Sequence, residues 1–370
     1  MTSHSSEMMR IVRLHGQNDL RLEQAPAPDA AGAGEVLVAV AAVGFCGSDL
    51  HYHSQGGIGT IRVREPIILG HEAAGRVVAL GAGVTSGAGG AALSVGDLVA
   101  LNPSHPCGDC RFCDEGNPHH CLHMRFKGSA MFMPHEQGFM RDRLTIGAAQ
   151  CHKIADGIPA EQAALAEPLA VCRRAVTRAL EVGGPITGKR VLVTGAGPIG
   201  VLCAALAKHF GASEVVVTDL QDAPLEVARQ IGADRVINVG REGALIEEYA
   251  AEKGQFDLVF ECSAAEPALR MAVATTRPLG TIVQVGVMGD TPLPFNLVVA
   301  KEINLIGTHR FDGEFAEAVA LINARALGGA AGLAPVVTQI LPVEAALEAI
   351  AMASDRTRAV KVQLQFGAEA

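Results

Sequence analysis

One glycine pattern limits what this chain can become more than any other feature. The β-branched run Arg190-Val191-Leu192-Val193-Thr194 reads as a buried strand, and it leads without a break into Gly195-Ala196-Gly197-Pro198-Ile199-Gly200 and an apolar helical stretch to His209. Gly195 permits a tight turn, Gly197 lets a phosphate approach the backbone, and Gly200 lets the helix pack closely on the strand. The helix N-terminus, opened by Pro198 and Ile199, then faces that phosphate. A second strand, residues 214–218, ends at Asp219, about twenty residues past the glycines, where a carboxylate accepts hydrogen bonds from an adenosine ribose. Alone, Asp219 would read as an acidic cap for the next helix; behind this turn it completes a dinucleotide fingerprint. Strand-like segments at 256–260, 281–285 and 304–306 extend the pattern to a doubly wound parallel sheet of about six strands. Asp219 would repel a 2′-phosphate, and Leu220, Gln221 and Asp222 offer no cation to hold one, so NAD is expected before NADP.

The first half of the chain has a different character. Residues 10–43 read as short strands with Gly, Pro and Ala turns, and residues 73–80 and 97–101 continue a β-rich domain across a glycine-rich loop at 81–90 that carries no chemistry. Within it stand Cys46-Gly47-Ser48-Asp49-Leu50-His51 and Gly70-His71-Glu72. A catalytic zinc takes about three protein ligands and keeps one position open. Cys46 and His71 with one carboxylate, Glu72 or Glu167, meet that count. Farther on, Cys107, Cys110, Cys113 and Cys121 have the spacing that lets four thiolates close a tetrahedron. A closed four-sulfur site has no open position, so the expectation is two Zn²⁺ per chain, one catalytic and one structural.

Composition removes competing functions. A net charge of −9 with no long basic run disfavours a nucleic-acid or anionic-membrane surface, and with it a zinc-ribbon module. The longest apolar runs are too short to span a bilayer, and residues 1–7 lack the order of a secretion signal, so a cytoplasmic protein is expected. Nine cysteines then point to thiolate and metal chemistry over disulfides. After residue 308 a helix at 313–327, a helix at 342–353 and a strand at 360–366 are expected; none repeats the nucleotide unit. The tail should therefore return to the first domain and leave a cleft between two domains.

With both cysteine sets, Gly70-His71-Glu72-x2-Gly75-x5-Gly81-x2-Val84 and the later glycine turn in this order, the whole chain resembles the zinc-containing medium-chain dehydrogenases. Ser48-Asp49-Leu50-His51-Tyr52, Pro66-Ile67-Ile68-Leu69-Gly70-His71-Glu72, Glu167-Pro168-Leu169 and Glu261-Cys262-Ser263 are most similar to the sorbitol and L-idonate dehydrogenase branch. The resemblance implies an α/β chain with a GroES-like catalytic domain built from residues 1–168 and 309–370 around a Rossmann domain at 169–308, assembled as a dimer or tetramer. It places Ser48 and His51 in a proton path, Glu72 or Glu167 at the catalytic zinc, and Tyr52, Phe126 and Arg310 around the substrate. Segments 56–66 and 125–131 tilt the expected substrate toward a sugar acid, L-idonate oxidised to 5-ketogluconate, with Arg62, Arg64, Arg125 and Lys127 adding positive potential near the cleft. The competing expectations are a sorbitol or xylitol dehydrogenase and a non-catalytic NAD-binding redox sensor.

Overall fold

The computed structural model describes residues 7–367; the stretch 1–7 on which the expectation about a secretion signal rests lies, but for Glu7, outside them. The chain begins as a hairpin of Met8–Gly16 and Asp19–Pro26, turned at Asn18 in the left-handed region (φ 60°). The next strand, Glu35–Gly44, is the spine of a seven-stranded sheet. Its alternation is lost because almost every side chain is buried, as for a strand covered on both faces. One edge pairs with Glu72–Leu80 along its length; the other pairs first with Arg143–Gly147 and then, from Ala42 to Gly44, with Lys361–Gln365. The C-terminal strand is thus built into the sheet of the N-terminal region, as the sequence suggests. Register sets Gly44 opposite Glu72, which brings Cys46 beside the His71-Glu72 pair.

The second sheet is six-stranded and parallel. Its order is Arg235–Asn238, Glu214–Asp219, Arg190–Thr194, Phe256–Glu261, Thr276–Gln284, Asn304–Gly307, so the topology reverses direction beside the central Arg190–Thr194 strand. The helix after the glycines runs Pro198–His209, and eight of its twelve residues are buried between sheet and neighbours. No helix of the described residues is long and apolar enough to cross a membrane.

Several elements escaped the sequence reading, three of them notable for their physical reason. The longest helix, Ala166–Gly183, joins the two sheets; Pro168 looks like a breaker but sits in the first turn, where no intrahelical N–H is needed. Strands Arg235–Asn238 and Val337–Pro342 are short and mostly half-buried, with little period to read. The helix expected at 313–327 spans Glu314–Asn323, because Arg325 adopts a left-handed conformation (φ 49°) that ends it.

Candidate active site and metal centres

Cys46 caps the N-terminus of the helix Gly47–Gln55, and His71 and Glu72 enter the strand Glu72–Leu80. One ligand atom from each of Cys46, His71 and Glu72 lies within 4.8 Å of the others, and both His71 and Glu72 are buried. Asp49, fully buried, ties the two segments together: its carboxylate accepts from the Cys46 backbone N–H at 3.0 Å and from Gly70 N–H at 3.3 Å, and lies 3.9 Å from His71 Nδ1. At that separation the carboxylate acts on the imidazole through its charge, from behind the ring, where metal-binding histidines commonly have an acidic neighbour.

Glu72 is held from behind. Lys361 donates to both of its carboxylate oxygens, at 2.8 and 2.6 Å, and to the Phe45 carbonyl at 2.9 Å, with both side chains only 2% exposed. The Lys361 ammonium is raised in pKa: burial lowers it, but Glu72 and Cys46 outweigh that effect. A Cβ on Gly44 would come within 2.2 Å of the Glu72 carboxylate, so glycine is required opposite it. Glu167, in the first turn of Ala166–Gly183, is also buried, yet no protein hydrogen bond engages its carboxyl among the described residues. Burial pushes it up to about 7, opposed by His71 and aided by Glu72. His71 is raised overall, because Asp49 and Cys46 more than offset its burial. A cation among these groups would hold the acids ionised and the imidazole neutral.

The expected substrate residues converge on the same place. The Phe126 ring lies 5.6 Å from that of His71, and the Arg310 guanidinium sits 4.8 Å over the Phe126 ring. Arg310 has a left-handed backbone (φ 49°), and no carboxylate of the described residues comes within ion-pair distance of it. Burial lowers its pKa, with Tyr52 and Glu167 opposing. The Tyr52 hydroxyl accepts from Ala130 N–H at 3.2 Å, which fixes the ring against the loop after Phe126. Ser48, half-buried, and His51, exposed, lie one turn apart on the helix that Cys46 caps.

The positive rim expected from Arg125 and Lys127 is reduced. They flank Phe126 in sequence and share one carboxylate, Glu136, with Lys127 Nζ at 3.2 Å, so the trio keeps a single net positive charge. Arg62 and Arg64 are exposed.

The four sulfurs of Cys107, Cys110, Cys113 and Cys121 lie within 4.8 Å of one another, with Cys107–Cys121 at 3.3 Å and Cys110–Cys113 at 3.6 Å. A tetrahedron with zinc–sulfur bonds of 2.3 Å spaces sulfurs by about 3.8 Å, close to this arrangement. Backbone N–H groups of Cys107, Leu122 and His123 point at the sulfurs, the support that thiolate ligands need. Both donor sets therefore suit zinc.

In the second domain Gly195 has φ 86° and donates to Thr218 O at 2.7 Å, and a Cβ on Gly200 would meet Gly195 O at 1.8 Å. Gly197 has nothing within 4 Å of its missing Cβ, the open side a phosphate can approach. Pro198 and Ile199 begin the helix there. Asp219 accepts from Ala196 N–H at 2.7 Å and from Gln221 N–H at 2.9 Å, so it steadies the glycine turn as well as ending its strand.

Residues 32–156 match the alcohol dehydrogenase GroES-like domain and residues 198–324 the zinc-binding dehydrogenase family. L-idonate 5-dehydrogenase (NAD(P)(+)) of Escherichia coli K12 is 37% identical over 332 residues, covering 89% of this chain and 91% of its own. The chain belongs to the zinc-containing medium-chain dehydrogenases. Within that family, sorbitol dehydrogenase of Macaca fascicularis is 36% identical over 342 residues, 91% of this chain and 90% of its own. The crystal structure of the Escherichia coli L-idonate 5-dehydrogenase superposes with a TM-score of 0.86 at 33% identity, covering 97% of this chain and 99% of that one. The chain is thus a GroES-like and Rossmann α/β dehydrogenase, and Asp49 and Lys361 are the site residues that sequence reasoning passed over.

Proposed function

We propose that this dehydrogenase oxidises a secondary alcohol of a sugar acid, L-idonate to 5-ketogluconate, transferring hydride to NAD⁺. The observation that carries the sugar acid is Arg310, a largely buried guanidinium beside Phe126 and His71 with no carboxylate partner of its own. Its planar fork matches a substrate carboxylate. Relatives named for L-idonate and for sorbitol support the substrate class.

Two zinc ions per chain fit the two donor sets, one closed by the four cysteines and one held by Cys46 and His71. At the open site we assign the carboxylate to Glu167, because Lys361 already holds both oxygens of Glu72. Zinc there supplies Lewis acidity that makes an alcohol easier to ionise. Tyr52, Phe126 and Arg310 orient the substrate, and Ser48 accepts the alcohol proton as it releases its own toward the exposed His51 one turn away, which hands a proton to solvent. Gly195, Gly197, Gly200 and Asp219 hold the dinucleotide, with NAD preferred to NADP. The working division remains residues 1–168 and 309–370 around 169–308, and the assembly is a homo-oligomer.

The test is Arg310→Ala, assayed on L-idonate and on sorbitol. We expect kcat/KM for the acid to fall by about 2 to 5 kcal/mol and that for the neutral polyol to change much less. Equal losses, or a wild type that prefers sorbitol, move the assignment to a polyol dehydrogenase. A wild type inactive on both, while still binding NAD, would point to a redox sensor.

A further inference from the structure

Glu261 ends the strand Phe256–Glu261 at the carboxyl edge of the parallel sheet, and neither the zinc sites nor the proton path uses it. It pairs with Thr194 on one side and Gln284 on the other, so it stands across the topological switch point from Asp219. The side chain is fully buried. One carboxylate oxygen accepts from Thr194 Oγ1 at 3.2 Å, from Ser263 N–H at 2.9 Å and from the Ser263 hydroxyl; the other accepts from Ala264 N–H at 3.3 Å and from Gln284 Nε2. The same Gln284 nitrogen donates to the Gly286 carbonyl at 2.8 Å, so both of its neighbours are acceptors and the orientation of the amide is fixed. Backbone N–H groups on both oxygens call for the acceptor-only, negatively charged form of the side chain. All of its partners are neutral groups. The segment that supplies them is pressed on the glycine turn: a Cβ on Gly195 would come within 3.0 Å of Ser263 Cα, one on Gly286 within 2.7 Å of Ala264 N, and Ala264 takes a left-handed φ of 55°.

A dinucleotide lies across the switch point with one nucleotide over each half of the sheet. Asp219 marks the adenosine half, which puts Glu261 on the nicotinamide side. The nicotinamide ring is positively charged when oxidised and neutral once hydride has been added. Burying a carboxylate with neutral partners only is costly, and a charge held in a medium of low dielectric acts strongly on a nearby cation. We propose that Glu261 is a fixed counter-charge for the oxidised ring, which strengthens binding of NAD⁺ relative to NADH. In the direction of alcohol oxidation this holds the cofactor before hydride transfer and loosens the hold on it afterwards. The inference rests on the dinucleotide reading of the glycine turn and is independent of the choice of sugar acid.

The test measures dissociation constants on zinc-loaded protein without substrate, for NAD⁺ by calorimetry and for NADH by its fluorescence. Glu261→Gln removes the charge, and Gln284→Lys keeps a donor at the same carboxylate but places a cation against it. Thr194→Val removes one hydrogen bond and leaves the charge. The first two variants should each weaken NAD⁺ about tenfold more than NADH, whereas Thr194→Val should change both by the same factor. Gln284→Lys decides the matter should Glu261→Gln not fold. Equal losses for the two cofactor forms in a charge variant, or a shift of the ratio in Thr194→Val as large as theirs, overturn the proposal and leave Glu261 a structural brace. Wild-type protein that binds neither form refutes the dinucleotide reading itself, so the two failures are distinct.

Discussion

Lys361 shows how much a single side chain can decide here. It supplies the positive charge that lets Glu72 remain buried beside Cys46 and His71. Lys361→Met should lower stability by about 3 to 5 kcal/mol, measured by denaturant unfolding, because an uncompensated carboxylate is left in the core. The double variant Glu72→Gln with Lys361→Met should recover part of that loss, and failure to recover would mean that the pair is not what holds the site. Asp219 is a second such residue. Asp219→Ala should raise KM for NAD⁺ and relax the preference over NADP⁺, read as the ratio of kcat/KM values. Arg241, just past the strand that pairs with Asp219 at Asn238, is already tied to Asp222 through both terminal nitrogens, so little gain in NADP⁺ use is expected unless Asp222 is replaced as well. Cys46 and His71 were legible because ligand types at short spacing are chemically specific. Asp49 and Lys361 were not, since a buried carboxylate or ammonium looks in sequence like any surface charge until its partner is known.

Among the elements, the glycine turn was the most legible, because strand, turn and helix are consecutive and each glycine answers a steric demand visible locally, as the 1.8 Å approach at Gly200 shows. The helix Ala166–Gly183 was the least legible, because Glu167 and Pro168 at its start read as a turn and a breaker although both are buried in its first turn. The four-cysteine lobe was readable from spacing alone. A mild chelator should remove the zinc of the Cys46 and His71 site first, with loss of activity, and the four-thiolate zinc only with loss of stability. Metal analysis that finds a single zinc in fully active protein would refute the two-site assignment.

At the scale of the whole molecule, the strand Asn304–Gly307 ends the parallel sheet with one side unpaired, and close by in sequence stand Val287 at 86%, Phe295 at 63% and Val299 at 74% exposure. An open edge beside such apolar side chains is an invitation to a second copy. Phe295→Glu combined with Val299→Glu should shift sedimentation to the monomer, and an unchanged sedimentation coefficient would place the interface elsewhere. Fold class and the order of the two sheets followed from periodicity and glycine placement. The return of the tail to the first domain followed as well, but its particular contacts, such as Lys361 with Glu72, did not, because pairings hundreds of residues apart leave no local trace.

The Glu72–Lys361 pair spans 289 residues and places an active-site support in the last strand. Long-range pairing of this kind closes late in folding, after the intervening Rossmann domain has formed. During translation, then, the ribosome must deliver nearly all of the chain before the catalytic pocket has its charge balance. Nascent chains halted before the final strand should carry the nucleotide-binding domain but no working oxidation site, so that incomplete products stay catalytically silent.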